Sequence, residues 1–167
     1  EVGCGFAREA GPGRYLFNPS ITGPDVVLLD VGEPEVEVGN FVMADAHHLP
    51  FRSGAFEEVR MIHVLEHLDE PGRALLEAHR VLRPGGSLVL EVPAPFSAVF
   101  ELDPSHKWRL RPGLLRKLLR MFRAVRIWAE GISPRLVPLG PLRLLLARLL
   151  PGIPWILAEY LRAVCVK

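Results

Sequence analysis

The chain has 167 residues, 49% of them hydrophobic and 23% charged, which is typical of one globular domain that can bury a substantial core. Its two cysteines are too few for a disulfide framework, which excludes the disulfide-rich secreted class and favours a reducing, cytoplasmic setting. We expect no signal peptide at the start of the chain.

The charge is divided between two parts of the chain. The formal net charge is +1, but residues 1–104 carry 7 Lys/Arg against 17 Asp/Glu, and residues 105–167 carry 13 against 2. Two interpretations stay open. Either the two parts attract each other within one fold, or the basic part faces an acidic partner, RNA or an anionic membrane surface.

The chain begins with a segment that suits the end of a strand and a sharp turn. Gly3 and Gly5 stand one residue apart, and glycine lets the backbone approach a ligand closely. Residues 6–24 contain Gly-Pro and Asn-Pro steps that leave no room for a helix beyond one or two turns, so we predict a long loop. Residues 25–31 are an apolar run that predicts a buried parallel strand with Asp30 at its carboxyl end.

The middle of the chain alternates between strand and helix patterns. Short strands are predicted over residues 41–44 and 56–62, and the second of these ends at His63. A helix begins with Asp69 as its cap and Pro71 in its first turn, residues 83–86 end it, and a strand follows over residues 87–93. This order predicts α/β organisation with a mostly parallel sheet.

Beyond Pro93 the patterns predict one helix and two closing strands. Residues 114–122 repeat apolar side chains with helical spacing and leave a basic face. Residues 124–128 and 160–166 are predicted as an antiparallel strand pair at the edge of the sheet. Residues 136–157 are apolar but broken by four prolines, which excludes an ordinary transmembrane helix and leaves a helix packed on the sheet or an interfacial, membrane-touching helix. The basic face consists of Arg116, Lys117, Arg120 and Arg123.

Residues 1–93 contain five motifs whose combination resembles the class I S-adenosylmethionine-dependent methyltransferases, in particular the subgroup with LPF and LEH signatures. The resemblance implies a Rossmann-like, mostly parallel sheet with a C-terminal antiparallel strand pair. Here the first strand is short, or begins upstream of Glu1, and the first helix is missing. We predict one domain over residues 1–167, with a cofactor-binding half (1–93) and a basic, substrate-side half (94–167). The motifs are Glu1-Val2-Gly3-Cys4-Gly5, Asp30, Asp45-Ala46-x-x-Leu49-Pro50-Phe51, His63-Val64-Leu65-Glu66-His67 and Arg80-Val81-Leu82-Arg83-Pro84-Gly85-Gly86.

The resemblance implies S-adenosylmethionine as cofactor and S-adenosylhomocysteine as product. The glycine backbone would pass under the methionyl and ribose parts, and Asp30 would accept both ribose hydroxyls. Asp45 would accept from the adenine amino group, the Ala46 backbone would donate to a ring nitrogen, and His63 would line the pocket near the methionyl group. Arg8 or Arg14 would bind the cofactor carboxylate. The implied cofactor-binding residues are Glu1, Gly3, Cys4, Gly5, Asp30, Val31, Asp45, Ala46 and His63.

The implied reaction is methyl transfer to an acceptor, for which a small molecule is favoured over a lipid, an RNA base or a protein side chain. Holding the acceptor in line with the departing sulfur supplies much of the acceleration. His106 is the candidate general base where the acceptor arrives protonated, and a loop histidine in a structural hydrogen bond is the alternative. A homodimer and peripheral membrane contact are further expectations.

Three other interpretations compete with this one. His63-x-x-Glu66-His67 formally matches an inverted zinc-peptidase motif, but the strand before it and the helix after Pro71 leave little helix between them, so no metal is predicted. A nicotinamide-dependent dehydrogenase would have glycine where Arg8 stands. A degenerate methyltransferase fold that serves as a non-catalytic binding or assembly module is the main alternative.

Overall fold

The computed structural model describes residues 24–32, 39–133 and 155–167. The motif at residues 1–5, Arg8, Arg14, the predicted loop over residues 6–23 and most of the apolar stretch over residues 136–157 lie outside the described residues. The strands are β1 (Leu28–Asp30), β2 (Phe41–Met43), β3 (Phe56–Ile62), β4 (Leu82–Pro93), β5 (Ala124–Ile132) and β6 (Ala158–Val166). The helices are α1 (Pro71–Val81), α2 (Ala98–Leu102) and α3 (Pro112–Leu118), with a 3-10 turn over Leu119–Met121.

The described strands form two paired groups. Strand β1 pairs with β2 in parallel, and the other four follow the order β3-β4-β6-β5. Strands β3 and β4 are parallel, whereas β6 runs antiparallel to both β4 and β5. The predicted α/β class is therefore confirmed, as are the parallel pairs and the antiparallel strand pair at the C-terminal edge.

The boundaries of α1 and β4 differ from the prediction. Asp69 is not the helix cap, because its carboxylate pairs with Lys107 (2.7 Å) and Glu70 occupies the N-cap position without a side-chain bond. Strand β4 begins at Leu82 rather than at residue 87. The cause is a pair of backbone hydrogen bonds to Lys167, the residue that follows β6: Gly85 N donates to Lys167 O, and Lys167 N donates to Gly86 O. These bonds make the predicted turn part of the sheet.

The Leu-Pro-Phe motif is tied to helix α1 by one ion pair. Arg80 donates to Phe51 O (2.7 Å) and Leu49 O (2.9 Å), and its guanidinium also donates to both carboxylate oxygens of Glu77. Glu77 in turn accepts from Leu49 N (2.8 Å), and Arg80 lowers the pKa of this carboxyl. The bonds fix the loop that leads from Asp45 to Phe51.

The core lies between the sheet and helices α1 and α3. Leu75 and Ala78 of α1 are fully buried, together with Leu88 and Leu90 of β4. The predicted amphipathic segment buries Leu115 and Leu119 and exposes its basic side chains, but the α-helix ends at Leu118 and the 3-10 turn completes it. Among the described residues, three Lys or Arg side chains of the basic part pair with acids of the acidic part: Lys107–Asp69, Arg109–Glu101 and Arg162–Glu91.

Candidate functional site

The polar residues predicted from the sequence follow the carboxyl ends of the parallel strands. Asp30 ends β1, Asp45 comes two residues after β2, and His63 directly follows β3. Ala44 N donates to Asp30 O (2.9 Å), which holds the first two ends together. His47, beside Asp45, accepts from Glu70 N (3.3 Å) and so connects this loop to the segment after His63.

Asp30 is a buried carboxylate that closes the turn after β1. Its Oδ1 accepts from Val31 N (2.7 Å) and Gly32 N (3.3 Å). Val31 itself exposes its side chain (65%), which is unusual for an apolar residue at the end of a buried strand. The strand end therefore presents an acid and an apolar contact side by side.

Asp45 is an exposed carboxylate held by the residue two positions further on. Its Oδ1 accepts from His47 N (2.8 Å) and from the ring nitrogen Nδ1 of His47 (2.6 Å). The backbone bond from His47 lowers the pKa of Asp45, so the group is ionised and an acceptor at neutral pH. Its side chain is 52% exposed, while the neighbouring Ala46 is buried.

His63 is clamped between two carboxylates. It donates Nδ1–H to Glu66 (3.2 Å) and Nε2–H to Glu91 (3.0 Å), and its backbone N donates to Glu91 O (2.9 Å). Burial alone would lower the pKa of His63, but the hydrogen bonds to the two glutamates raise it to about 9, so the ring is an imidazolium at neutral pH. Its φ of +54° is uncommon for a residue other than glycine, and such strain often marks functional positions.

We call His63 with its partners Glu66 and Glu91 the clamp. Its contacts extend across the sheet to β6. Arg162 pairs with Glu91 and with Glu130 (3.0 Å), and the Tyr160 ring packs edge-on against His63 with centroids 5.3 Å apart. Sequence reasoning missed Glu91, Tyr160 and Arg162. The signal was present, because Glu91 and Arg162 are charged residues inside two apolar strand patterns, and they are direct partners in the β4–β6 register.

His106 lies in a loop that docks on the segment after His63. The backbone N–H groups of Lys107 (2.7 Å) and Trp108 (3.2 Å) donate to Glu66 O, and the Trp108 indole donates to Leu68 O (2.8 Å). The His106 side chain is fully buried and donates Nδ1–H to Phe100 O (3.0 Å). Its general-base role stays a prediction.

These features define the class of the protein: an α/β fold of the Rossmann-like methyltransferase type, with acids at consecutive strand ends. The chain belongs to the methyltransferase domain family, whose model matches residues 1–90. This result confirms the resemblance to the methyltransferases, and the subgroup with LPF and LEH signatures stays a prediction.

Curated relatives and solved structures agree with that family. The chain is 33% identical over 141 residues to the ubiquinone/menaquinone biosynthesis C-methyltransferase UbiE of Bordetella avium, which covers 79% of this chain and 52% of the relative. It is 39% identical over 88 residues to the demethylmenaquinone methyltransferase of Renibacterium salmoninarum, covering 48% of this chain and 37% of the relative. The chain thus spans about half the length, or less, of the curated relatives it matches.

Two solved structures show the same fold at low identity. An S-adenosylmethionine-dependent methyltransferase from Archaeoglobus fulgidus superposes with a TM-score of 0.63 at 23% identity, covering 84% of this chain and 75% of that one. The [4+2]-cyclase SpnF superposes with a TM-score of 0.56 at 18% identity, covering 84% and 65%. Since proteins of different activity share this fold, the activity must be argued from the site.

Proposed function

We propose that this chain transfers a methyl group from S-adenosylmethionine to a small-molecule acceptor. The observation that carries the proposal is the family match over residues 1–90 combined with the placement of Asp30 and Asp45 at neighbouring strand ends. Bound S-adenosylmethionine supplies a sulfonium methyl group that is already electrophilic. The protein's task is therefore to bind and orient.

The described residues fit the nucleoside part of this cofactor. Asp30 offers a carboxylate at the end of β1, the position from which an acid can accept from ribose hydroxyls in doubly wound sheets. Asp45 is ionised and half exposed, which suits an acceptor for the adenine amino group, with Ala46 directly behind it. Val31 adds an exposed apolar contact. The roles proposed for Glu1, Gly3, Cys4 and Gly5 concern residues outside the described ranges.

His63 contributes by charge and position. Its positive ring holds Glu66 and Glu91 together at the end of β3, next to where the methionyl group is proposed to lie. Because both ring N–H groups of His63 donate hydrogen bonds to these glutamates, the orientation of the ring is fixed. We propose that it shapes the pocket wall and takes no proton during the reaction.

The acceptor is proposed to be a small aromatic molecule of the quinol class, methylated at carbon. The names of the Bordetella and Renibacterium relatives support this class. Exposed apolar side chains near the docked loop also support it: Phe96, which stacks on Trp155 with centroids 6.0 Å apart, and Leu102. Where the acceptor's hydroxyl arrives protonated, His106 is the proposed base.

The test is calorimetric titration with S-adenosylmethionine, followed by incubation of the protein with labelled cofactor and a set of demethylated quinols. We expect Asp30→Asn and Asp45→Asn to weaken cofactor binding, whereas Glu57→Gln, at an exposed carboxylate that pairs with Arg83 (2.8 Å), should bind as the wild type does. Absence of cofactor binding by the wild type, including in a chain extended at its start, would favour the non-catalytic module.

Further partners are proposed for the basic half. No helix among the described residues is both long and apolar enough to cross a membrane. Arg116, Lys117 and Arg120 are exposed on and just after α3 and support contact with an anionic partner. Binding to RNA should weaken steeply with added salt, binding to anionic vesicles would indicate peripheral membrane contact, and light scattering would detect a homodimer. A cytoplasmic location stays a prediction.

A further inference from the structure

The Glu66 carboxylate and the His106 ring are buried together where the His106 loop docks on the segment after β3. Within the part of the chain that the structure describes, Glu66 Oε2 and His106 Nε2 have no hydrogen-bond partner, although both side chains are at most 1% exposed. Buried polar atoms normally have a partner, so a pair of unsatisfied atoms in one place calls for a ligand. Nε2 of His106 lies 4.0 Å from Glu66 Oε1 and 3.8 Å from Asp103 Oδ2.

The tautomers of the two histidines follow from their partners. His106 donates Nδ1–H to Phe100 O, so in the neutral ring the lone pair is on Nε2. Ser105 gives its single hydroxyl hydrogen to Asp103 Oδ1 (2.5 Å) and must therefore accept from His67 Nδ1 (3.0 Å). His67 consequently also carries its lone pair on Nε2. Histidines whose other nitrogen donates to a carbonyl or hydroxyl are oriented as metal ligands are.

We propose that Glu66, His67 and His106 bind a divalent transition-metal ion, with zinc as the first candidate. One ligand atom from each residue lies within 4.8 Å of the others. Tetrahedral zinc with bonds of about 2.1 Å spaces its ligands about 3.4 Å apart, so small side-chain rotations complete the site. Two imidazoles and a carboxylate suit zinc and its neighbours rather than magnesium or calcium. Asp103 is the nearest candidate for a fourth ligand.

The charges around the cluster favour a cation. Glu66 and Asp103 are acids, and the imidazolium of His63, which bonds to Glu66, is shared with Glu91. The site also joins two separate segments of the chain, since Glu66 and His67 lie before α1 and His106 after α2. The proposed ligand set differs from the inverted zinc-peptidase motif noted in the sequence. In that motif His63 would be a ligand, but here both nitrogens of the His63 ring are bonded to carboxylates, and His106 is the second histidine ligand instead.

The metal role and the general-base role compete for one lone pair on His106. If Nε2 binds a metal, it does not accept a proton from the acceptor. Metal binding is measurable without S-adenosylmethionine, so its failure would leave the proposed methyl transfer untouched, and failure of methyl transfer would leave the metal site untouched.

The experiment uses the tag-free full chain, stripped with chelator and dialysed. Zn²⁺ is titrated by calorimetry, and Co²⁺ is added separately to read the coordination from its absorption bands. We expect one Zn²⁺ per chain, tetrahedral Co²⁺ bands, and an affinity about 100-fold weaker in His67→Gln and His106→Gln. His48→Gln, an exposed histidine outside the cluster, is the matched control and should bind as the wild type does.

Two results would overturn the proposal. The first is a wild-type chain that binds no Zn²⁺ above the level of buffer. The second is binding that His67→Gln leaves at the level of His48→Gln, which would place the metal elsewhere. Circular dichroism checks that each variant folds. Because His67 is only partly buried, its variant keeps the test decisive even if His106→Gln fails to fold.

Discussion

Replacing Arg80 by lysine should loosen the loop that carries Asp45. Arg80 donates to Leu49 O and Phe51 O and also grips both oxygens of Glu77, and a planar guanidinium can make all these bonds at once. A lysine ammonium keeps the positive charge but cannot form the several hydrogen bonds that the planar guanidinium makes at the same time. The variant therefore isolates geometry from charge.

The expected loss of unfolding free energy is about 2 kcal/mol. A lysine can keep one of the four bonds of Arg80, so three hydrogen bonds to a charged group are lost, each worth about 1.5–3 kcal/mol when buried. The Arg80 side chain is 35% exposed and Glu77 20%, so water re-solvates part of what is lost and the sum lies far below the buried value. For a chain of this size, 2 kcal/mol lowers the Tm by about 4–8 °C.

The assay is urea unfolding followed by tryptophan fluorescence, together with titration of S-adenosylmethionine. Arg60→Lys is the matched control, because Arg60 pairs with the exposed Glu58 (2.6 Å), and this variant should change stability by less than about 0.5 kcal/mol. We expect Arg80→Lys to weaken cofactor binding and Arg60→Lys to leave it unchanged. If the two variants are equally stable and bind the cofactor equally well, the bonds from Arg80 do not hold the loop and the reasoning is refuted.

Other variants test other parts of the structure. His63→Gln removes the cation that Glu66 and Glu91 share, and Arg162 remains as a partner of Glu91 alone. The loss leaves the buried Glu66 without a cation and should cost about 3–5 kcal/mol in urea unfolding, so a loss below about 1 kcal/mol would contradict the role of His63. Gly86→Ala places a Cβ 2.8 Å from a backbone oxygen and should cost about 1–3 kcal/mol, whereas Gly113→Ala, in open space on α3, should be neutral or stabilising; equal Tm values would disprove the clash. Burial raises the pKa of the Cys165 thiol to about 12, so this thiol loses its proton at a lower pH in the unfolded chain than in the folded one. The free energy of unfolding should therefore fall by about 2 kcal/mol between about pH 8 and pH 10.5, and Cys165→Ala should reduce this dependence on pH.

The sequence was enough to predict the described strands, helices α1 and α3, and the positions of Asp30 and Asp45 after their strands, but not helix α2. An apolar run identified β1, strand-like patterns identified β3 and the C-terminal strand pair, and Asp30 and His63 were placed at strand ends as the structure has them. This worked because periodicity and strand-end position are local properties. Each can be read from a few neighbouring residues.

The cap of α1 and the start of β4 could not be predicted, because distant residues decide them. The Asp69 carboxylate pairs with Lys107 instead of capping α1. Lys167 forms backbone hydrogen bonds with Gly85 and Gly86, where a turn was predicted. In each case a favourable local role is outweighed by a contact across the fold. Propensity contributes less than such tertiary contacts.

The clamp and the proposed metal site belong to the tertiary structure alone. The sequence determined that a histidine-rich motif follows β3 and that another histidine lies about forty residues later. Only the fold brings Glu91 and Arg162 against His63, and His106 against Glu66 and His67. The physical reason is that pairing of β4 with β6 and docking of the His106 loop set which charges are buried together. Burial then decides which proton, partner or metal each group can hold.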